Sequence, residues 1–486
     1  TGRGRPRLAL ASSADTIGTL SADASLAGSS EKSEYSLALF HERTPGLSAA
    51  SAAYPGNVEK DGYRNLSLSA RFGFTFRPET SLTLAVRGVT ARTQLDNFGG
   101  PGGDDPNSRQ NYGTLHARAQ LRDLARRGRW ERTLILSWLG AKRDGDNPVD
   151  EAHPLDWEES AYRSDILKLD WQNNLFLHPS NTLTAGLEVE EERGRSEYLS
   201  ESAWGSTDSS FPSARARSTG IYLLDHWEVR DRFFVTAGVR AEDHSQSGAA
   251  LTFRVAPAFV VAATGTRLKA SFGTGYKSPS LYQLFAPATS WGPIGNPALR
   301  PERSTGWDAG LEQRLSSDGL VLVLTWFANS FRDLVDYDFA AGYINIGRAR
   351  TSGLEASAEA RPTPHLRFSA SYTRLSARDV DAGTGLLRRP RDKFSANASA
   401  RLFGRFDLAA SVLWVGRRLD RDFSAVPYAT VTLPAYVLLD VVLTASLGSG
   451  LDLFVRGDNL LGTRYETVWG YGSPGRALRT GFRLSL

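Results

Sequence analysis

Two short stretches concentrate oxygen donors. Glu59-Lys60-Asp61-Gly62 closes one polar segment, and Asp96 opens another that runs through glycines to Asp104 and Asp105. A hard divalent cation such as calcium takes about six to eight oxygen ligands, many of them carboxylates on flexible loops. Any solvated loop has the same composition, and spacing alone leaves both readings open. Other chemistry is sparse. The 7 histidines (His41, His116, His153, His178, His226, His244 and His365) are dispersed, without an H-x-x-x-H pair. Cysteine is absent, which removes disulfides, thiol catalysis and Cys-ligated metals. Gly273-Thr274-Gly275 lies at a strand end rather than between a strand and a helix, so it cradles no phosphate. Glu190-Glu191-Glu192 would alternate between strand faces at a solvated rim, and there is no Ser-centred elbow. The chain does not read as an enzyme.

The elements that must position these groups are strands. Leu82, Leu84 and Val86 alternate with Thr83, Ala85 and Arg87; Leu366, Phe368, Ala370 and Tyr372 oppose Arg367, Ser369, Ser371 and Thr373; Leu451, Leu453 and Val455 oppose Asp452, Phe454 and Arg456. This period persists over 486 residues with no domain boundary and no fixed repeat, which disfavours soluble sandwiches and solenoids. There is no apolar run of about 18 residues, but barrel strands need only ~9–11 residues of alternating polarity. Connections alternate in length. Ser316–Gly319, Arg361–His365 and Gly448–Gly450 read as tight turns. Thr44–Lys60, Asp96–Asn111, Asp144–Glu159, Arg193–Ala214, Ala286–Arg303, Arg378–Arg391 and Arg417–Leu433 read as long polar loops. Trp130, Trp138, Tyr222, Trp227, Trp326 and Trp414 near segment ends suit interfacial girdles. The last face, Leu478, Thr480, Phe482, Leu484 and Leu486, suits a closing strand. The expectation is an all-β transmembrane antiparallel β-barrel of about 22 strands, with long extracellular loops and short periplasmic turns. The net charge of +4 is small and its arginines are scattered, so Ala125–Arg129 reads as a turn or a lipid-headgroup contact, not as a nucleic-acid site.

Lys269–Leu311, with "GTGYKSPSLYQLF" and "GNPALRPERS", resembles TonB-dependent outer-membrane receptors. Further frames resemble the cobalamin receptors among them: Phe331–Glu355, Leu386–Arg389, Val415–Thr430 and Asp458–Arg476. Many members end in an aromatic residue, where this chain has Leu486. The resemblance implies residues 8–486 as the receptor barrel, with 1–7 a linker from a plug domain that is missing along with the box that pairs with TonB. Lacking Met, the chain reads as processed, trimmed or engineered, and Thr1 follows no signal peptide.

What the resemblance implies about function follows. The barrel would sit in the outer membrane of a Gram-negative bacterium, among lipid and lipopolysaccharide. It would bind and import cobalamin or a related corrinoid, driven by TonB through a plug supplied elsewhere. "EKDGY" and "LDNFGGPGGDD" resemble the family's calcium-binding loops, which makes Glu59, Asp61, Asp96, Asp104 and Asp105 calcium candidates. Arg388 and Phe423 stand where the family places substrate contacts, Phe423 in place of a Tyr. A siderophore or haem receptor barrel, and a plugless passive channel, are the alternatives.

Overall fold

The computed structural model describes residues 4–151, 153–203, 205–289, 292–315, 319–338, 340–424 and 427–486. Residues 1–3 of the expected linker, 316–318 of the expected turn, and 425–426 within the Val415–Thr430 frame lie outside them. Among the described residues, 23 strands share one sheet. Gly205–Asp208 only folds back on the end of its neighbour, Asn181–Ser202. The remaining 22 follow one another around a closed antiparallel wall. Its seam joins the two ends of the chain. Arg7–Asp15 pairs with Ala477–Ser485, from Ala9 opposite Ser485 to Asp15 opposite Arg479. Leu8 and Leu486 exchange backbone hydrogen bonds at 3.1 and 2.8 Å. Closure leaves no free edge, the condition for a sheet to sit in lipid.

Among the described residues, one end of the wall carries short turns, such as 78–79, 179–180, 364–365 and 449–450. The other carries the loops 45–62, 95–108, 148–156, 278–301, 380–391, 416–435 and 459–476. The loop expected over Arg193–Ala214 is mostly strand: pairing continues to Ser202 and resumes at Phe211. Its polar alternation suits a ribbon standing clear of the membrane with both faces wet. The turn expected at Arg361–His365 shrinks to 364–365, because strand continues through Thr363. A short helix, Leu281–Phe285, interrupts the 278–301 loop. The Gln283 amide donates to Ser280 Oγ at 3.2 Å, and the Ser280 amide to Gln283 Oε1 at 2.9 Å, a capping box.

Cross-strand register stacks apolar residues into a continuous outer belt. Leu121, Leu134, Trp171 and Leu187 are successive partners, as are Phe394, Trp414 and Val437. Many belt residues are exposed: Leu136, Leu169, Leu223, Phe253, Leu324 and Phe482 among them. Trp130, Trp138, Trp227, Trp326 and Trp414 face outward with it. Tyr222 does not: its neighbours Ile221 and Leu223 take the outer face, and its hydroxyl donates to Asp170 in the lumen at 3.2 Å. The lumen face is ionic. Lys168 pairs with Glu188 (2.9 Å) and Glu190 (3.3 Å), and Arg240 with Glu188 and Glu242 (both 2.8 Å). Glu191 points outward, to Arg193 at 2.5 Å.

The molecule is a shell. A compact chain of 53.0 kDa would expose roughly 18,000 Å², whereas this one exposes 28799 Å². Its large buried apolar side chains, Phe211, Leu281, Leu284, Leu299, Val415 and Leu433, all sit at the loop end. The packed core is therefore where the loops meet, and not in the wall.

Candidate cation and ligand site

Three loops interlock over one side of the mouth. The Ser51 amide donates to the Gly470 carbonyl at 2.7 Å, and Gly472 to Ala49 at 2.8 Å, tying 45–62 to 459–476. Asn57, fully buried, ties 45–62 to 95–108: its amide donates to the Gly100 carbonyl at 2.6 Å and its carbonyl accepts from Gly103 at 3.0 Å. Gly470 (φ 80) sits where any Cβ would lie 2.4 Å from the backbone of 99–100, so only glycine permits this approach. Tyr54 packs against Trp469, centroids 5.5 Å apart.

This junction gathers the carboxylates. Glu59, Asp61 and Asp96 bring one oxygen each to within 4.8 Å of one another. Asp61 accepts from the Ala49 amide and Asp96 from the Ala50 amide. Glu59 Oε1 and Asp61 Oδ1 are buried and have no hydrogen-bond partner. Burial, aided by the charges of Asp61, Asp96 and Asp104, pushes Glu59 up to about 7. Burial also pushes Asp61 up to about 6, with Asp96 adding to it and the Ala49 amide opposing. Hard oxygens converging without a counter-charge, two of them orphaned, fit a divalent cation such as calcium.

The other two candidates take different places. Asp104 clamps loops: it accepts from Ser48 Oγ at 2.9 Å and from the amides of Val58 and Glu59, the latter at 2.9 Å. Asp105, fully buried, belongs to a second group with Asp150 and His153, again within 4.8 Å. It also accepts from Asn147 at 2.9 Å and from the Ser108 amide at 3.2 Å. His153 Nδ1 lies 3.3 Å from an Asp150 carboxylate oxygen. This second group escaped the sequence reading, which sought paired histidines; the Asp150-x-x-His153 spacing was its only signal.

Arg388 lies at positive φ (57) in the 380–391 loop. Its Nε donates to Asp420 Oδ1 at 2.8 Å, and buried Asp420 also accepts from the Trp469 amide at 2.7 Å. The pair thus fastens 380–391 to 459–476 through the ribbon formed by Arg418–Arg421 and Thr430–Leu433. Phe423 is half exposed, 5.1 Å from the ring of Tyr428. A second aromatic group surrounds the short helix on the lumen side. Tyr282 lies 6.2 Å from Tyr162, 6.3 Å from Phe211 and 6.3 Å from Tyr343, which in turn lies 5.2 Å from Tyr337. No sequence motif joins these residues; register and the helix bring them together. The mouth therefore offers oxygen donors, one ion-paired arginine and two aromatic surfaces.

Comparison with known proteins fits this geometry. Residues 18–460 match the family described as TonB dependent receptor-like, beta-barrel. Among solved structures, the siderophore receptor PirA from Acinetobacter baumannii is 16% identical, with a TM-score of 0.80 over 100% of this chain and 81% of that one. The copper transporter OprC is 14% identical, with a TM-score of 0.81 over 99% of this chain and 81% of the other. A mutant of the ferric enterobactin receptor PfeA from Pseudomonas aeruginosa is 18% identical, with a TM-score of 0.80 over 100% and 81%. At these identities the likeness is one of fold.

Proposed function

Because the chain belongs to the TonB-dependent receptor-like β-barrel family, we propose that it is the wall of an outer-membrane receptor importing cobalamin or a related corrinoid. The observation that carries this reading is the Glu59–Asp61–Asp96 cluster, with its two orphaned oxygens at the junction of two loops. A calcium ion held by Glu59, Asp61 and Asp96 would neutralise the cluster and fix 45–62 against 95–108. Arg388, Phe423 and the Tyr282 group would then face a ligand already ordered for it, which lowers the cost of binding. Asp104 and Asp105 act on this reading by holding the loops. Import would be driven by TonB.

Cyanocobalamin binding to the purified barrel in detergent, with calcium or with chelator, tests it. Binding tightened at least ten-fold by calcium is expected; no binding in either condition overturns the corrinoid assignment. The second reading, a ferric siderophore receptor, is favoured by the neighbours PirA and PfeA. Ferric enterobactin in the same assay, binding where cyanocobalamin does not, would select it.

A further inference from the structure

We propose that a cleft on the outward face of the wall, just above the loop-side aromatic girdle, binds the phosphorylated headgroup of a membrane lipid. The proposal rests on the wall lying in a membrane and is independent of the cargo. The cleft measures about 730 Å³, and Arg374, Arg378, Arg389, Arg391 and Arg417 line it. Trp326 and Leu354 form its floor. Register fixes the side on which its floor lies: Trp326, Leu354 and Arg374 are successive cross-strand partners, one row above Leu324, Ala356, Tyr372 and Phe394 of the apolar belt. The row passes from lipid-facing residues to cations within one strand, in Tyr372, Arg374 and Arg378.

The charges are not spent internally. All five guanidinium groups belong to exposed residues. Among the described residues none of the five forms an ion pair, whereas nearby Arg348 is taken by Asp381 at 2.9 Å and Arg388 by Asp420. Asp392, opposite Arg374 in register, and Asp379 form no ion pair with the five. Asp392 accepts from the Tyr372 hydroxyl at 2.6 Å, and Asp379 from the Asp381 and Ala382 amides at 2.9 Å. Five like charges around one cleft repel each other, and a phosphate dianion relieves that repulsion. Every one is arginine, whose planar fork binds phosphate oxygens in pairs where lysine offers a point charge. The apolar floor gives acyl chains continuity with the belt, which a free anion would not use. An imported ligand is the wrong occupant. Arg418 also lines the cleft, but its guanidinium donates to the Pro434 and Glu466 carbonyls, and Asp420 accepts from Arg388 and the Trp469 amide, so neither side chain is left for an imported ligand there.

The test uses the whole chain in neutral detergent, with native mass spectrometry scoring three probes: bisphosphorylated lipid A, its dephosphorylated form, and inorganic phosphate. Expected are lipid A binding, at least ten-fold weaker binding without the phosphates, and no displacement by equimolar inorganic phosphate. The triple variant Arg378→Ser/Arg389→Ser/Arg391→Ser should lose ten-fold or more in affinity while keeping the heat-dependent gel mobility of a folded barrel. Arg389→Ser alone, on an exposed loop, should lose several-fold, and it decides the matter if the triple variant does not fold. Equal binding of the dephosphorylated lipid, phosphate bound as tightly as lipid A, or unchanged affinity in Arg389→Ser would each overturn the proposal.

Discussion

Glu59 and Asp61 titrate where carboxylates ordinarily do not, and the direction of that shift makes the cation reading testable by pH. Both are raised, Glu59 to about 7 and Asp61 to about 6. The folded, cation-free loops therefore hold protons that the unfolded chain has released. The stabilisation these two groups contribute is full below about pH 4 and is lost as pH rises through 6 and 7. With calcium the sign reverses, because the ion competes with those protons. Apparent calcium affinity should drop roughly ten- to twenty-fold from pH 8 to pH 6, by calorimetry in a non-chelating buffer. A flat profile would mean that these carboxylates do not hold the ion. Asp61→Asn or Asp96→Asn should weaken calcium at least ten-fold at pH 8, with the barrel still folded. Asp420→Ala acts differently. It strands the Trp469 amide and frees Arg388, which should cost about 1–3 kcal/mol locally and speed proteolysis within 416–435. At this scale the sequence was only partly legible. The acidic residues were visible and their loops were placed. Which oxygens converge depends on backbone contacts such as Gly470 against 99–100, and no spacing encodes those.

The strands were more legible, because a period of two maps directly onto two faces. Leu366, Phe368, Ala370 and Tyr372 lie outward as their alternation predicts, and so do Leu478, Thr480, Phe482 and Leu484 along the last strand. Two kinds of element escaped. Polar alternation in Arg193–Ser202 looked like a loop, since a ribbon wet on both faces lacks the apolar half of the pattern. Ser280-x-x-Gln283 encoded a capping box that was passed over inside a segment rich in proline and glycine. Tyr222 shows the limit of composition: an aromatic near a strand end suits a girdle, but parity decides its face. The two faces predict opposite tolerance to charge. Leu169→Arg, in the middle of the belt, should cost about 2–4 kcal/mol in lipid. Ser371→Arg, on the lumen face where Ser371 shares a hydrogen bond with Ser395 at 2.7 Å, should be close to neutral. Equilibrium unfolding in urea from liposomes would measure both, and equal costs would mean that the two faces have been exchanged.

The whole molecule depends on its seam, because a wall this thin has no central core to hold it if it opens. Twenty-two strands close only if the first and last pair in register, and here the ladder from Ala9 opposite Ser485 to Asp15 opposite Arg479 is bounded by the Leu8–Leu486 exchange at one end and the Asp15–Arg479 ion pair at 3.0 Å at the other. Since Leu8 and Leu486 exchange both bonds, the pairs alternate from there, and Ala11 opposite Arg483 is a pair without hydrogen bonds. Such pairs hold their Cα atoms about 4.5 Å apart, within the range that a disulfide spans. The chain contains no cysteine to compete. Ala11→Cys/Arg483→Cys should therefore cross-link under mild oxidation in the folded barrel and not in urea. After heating without reductant, the product should run as a compact circular species. A control displaced by two residues, Ala11→Cys/Gly481→Cys, should cross-link far more slowly, since it sits diagonal to the register. Equal rates for the two would show a seam that slides, and a barrel whose girth the loops at its mouth would then have to set.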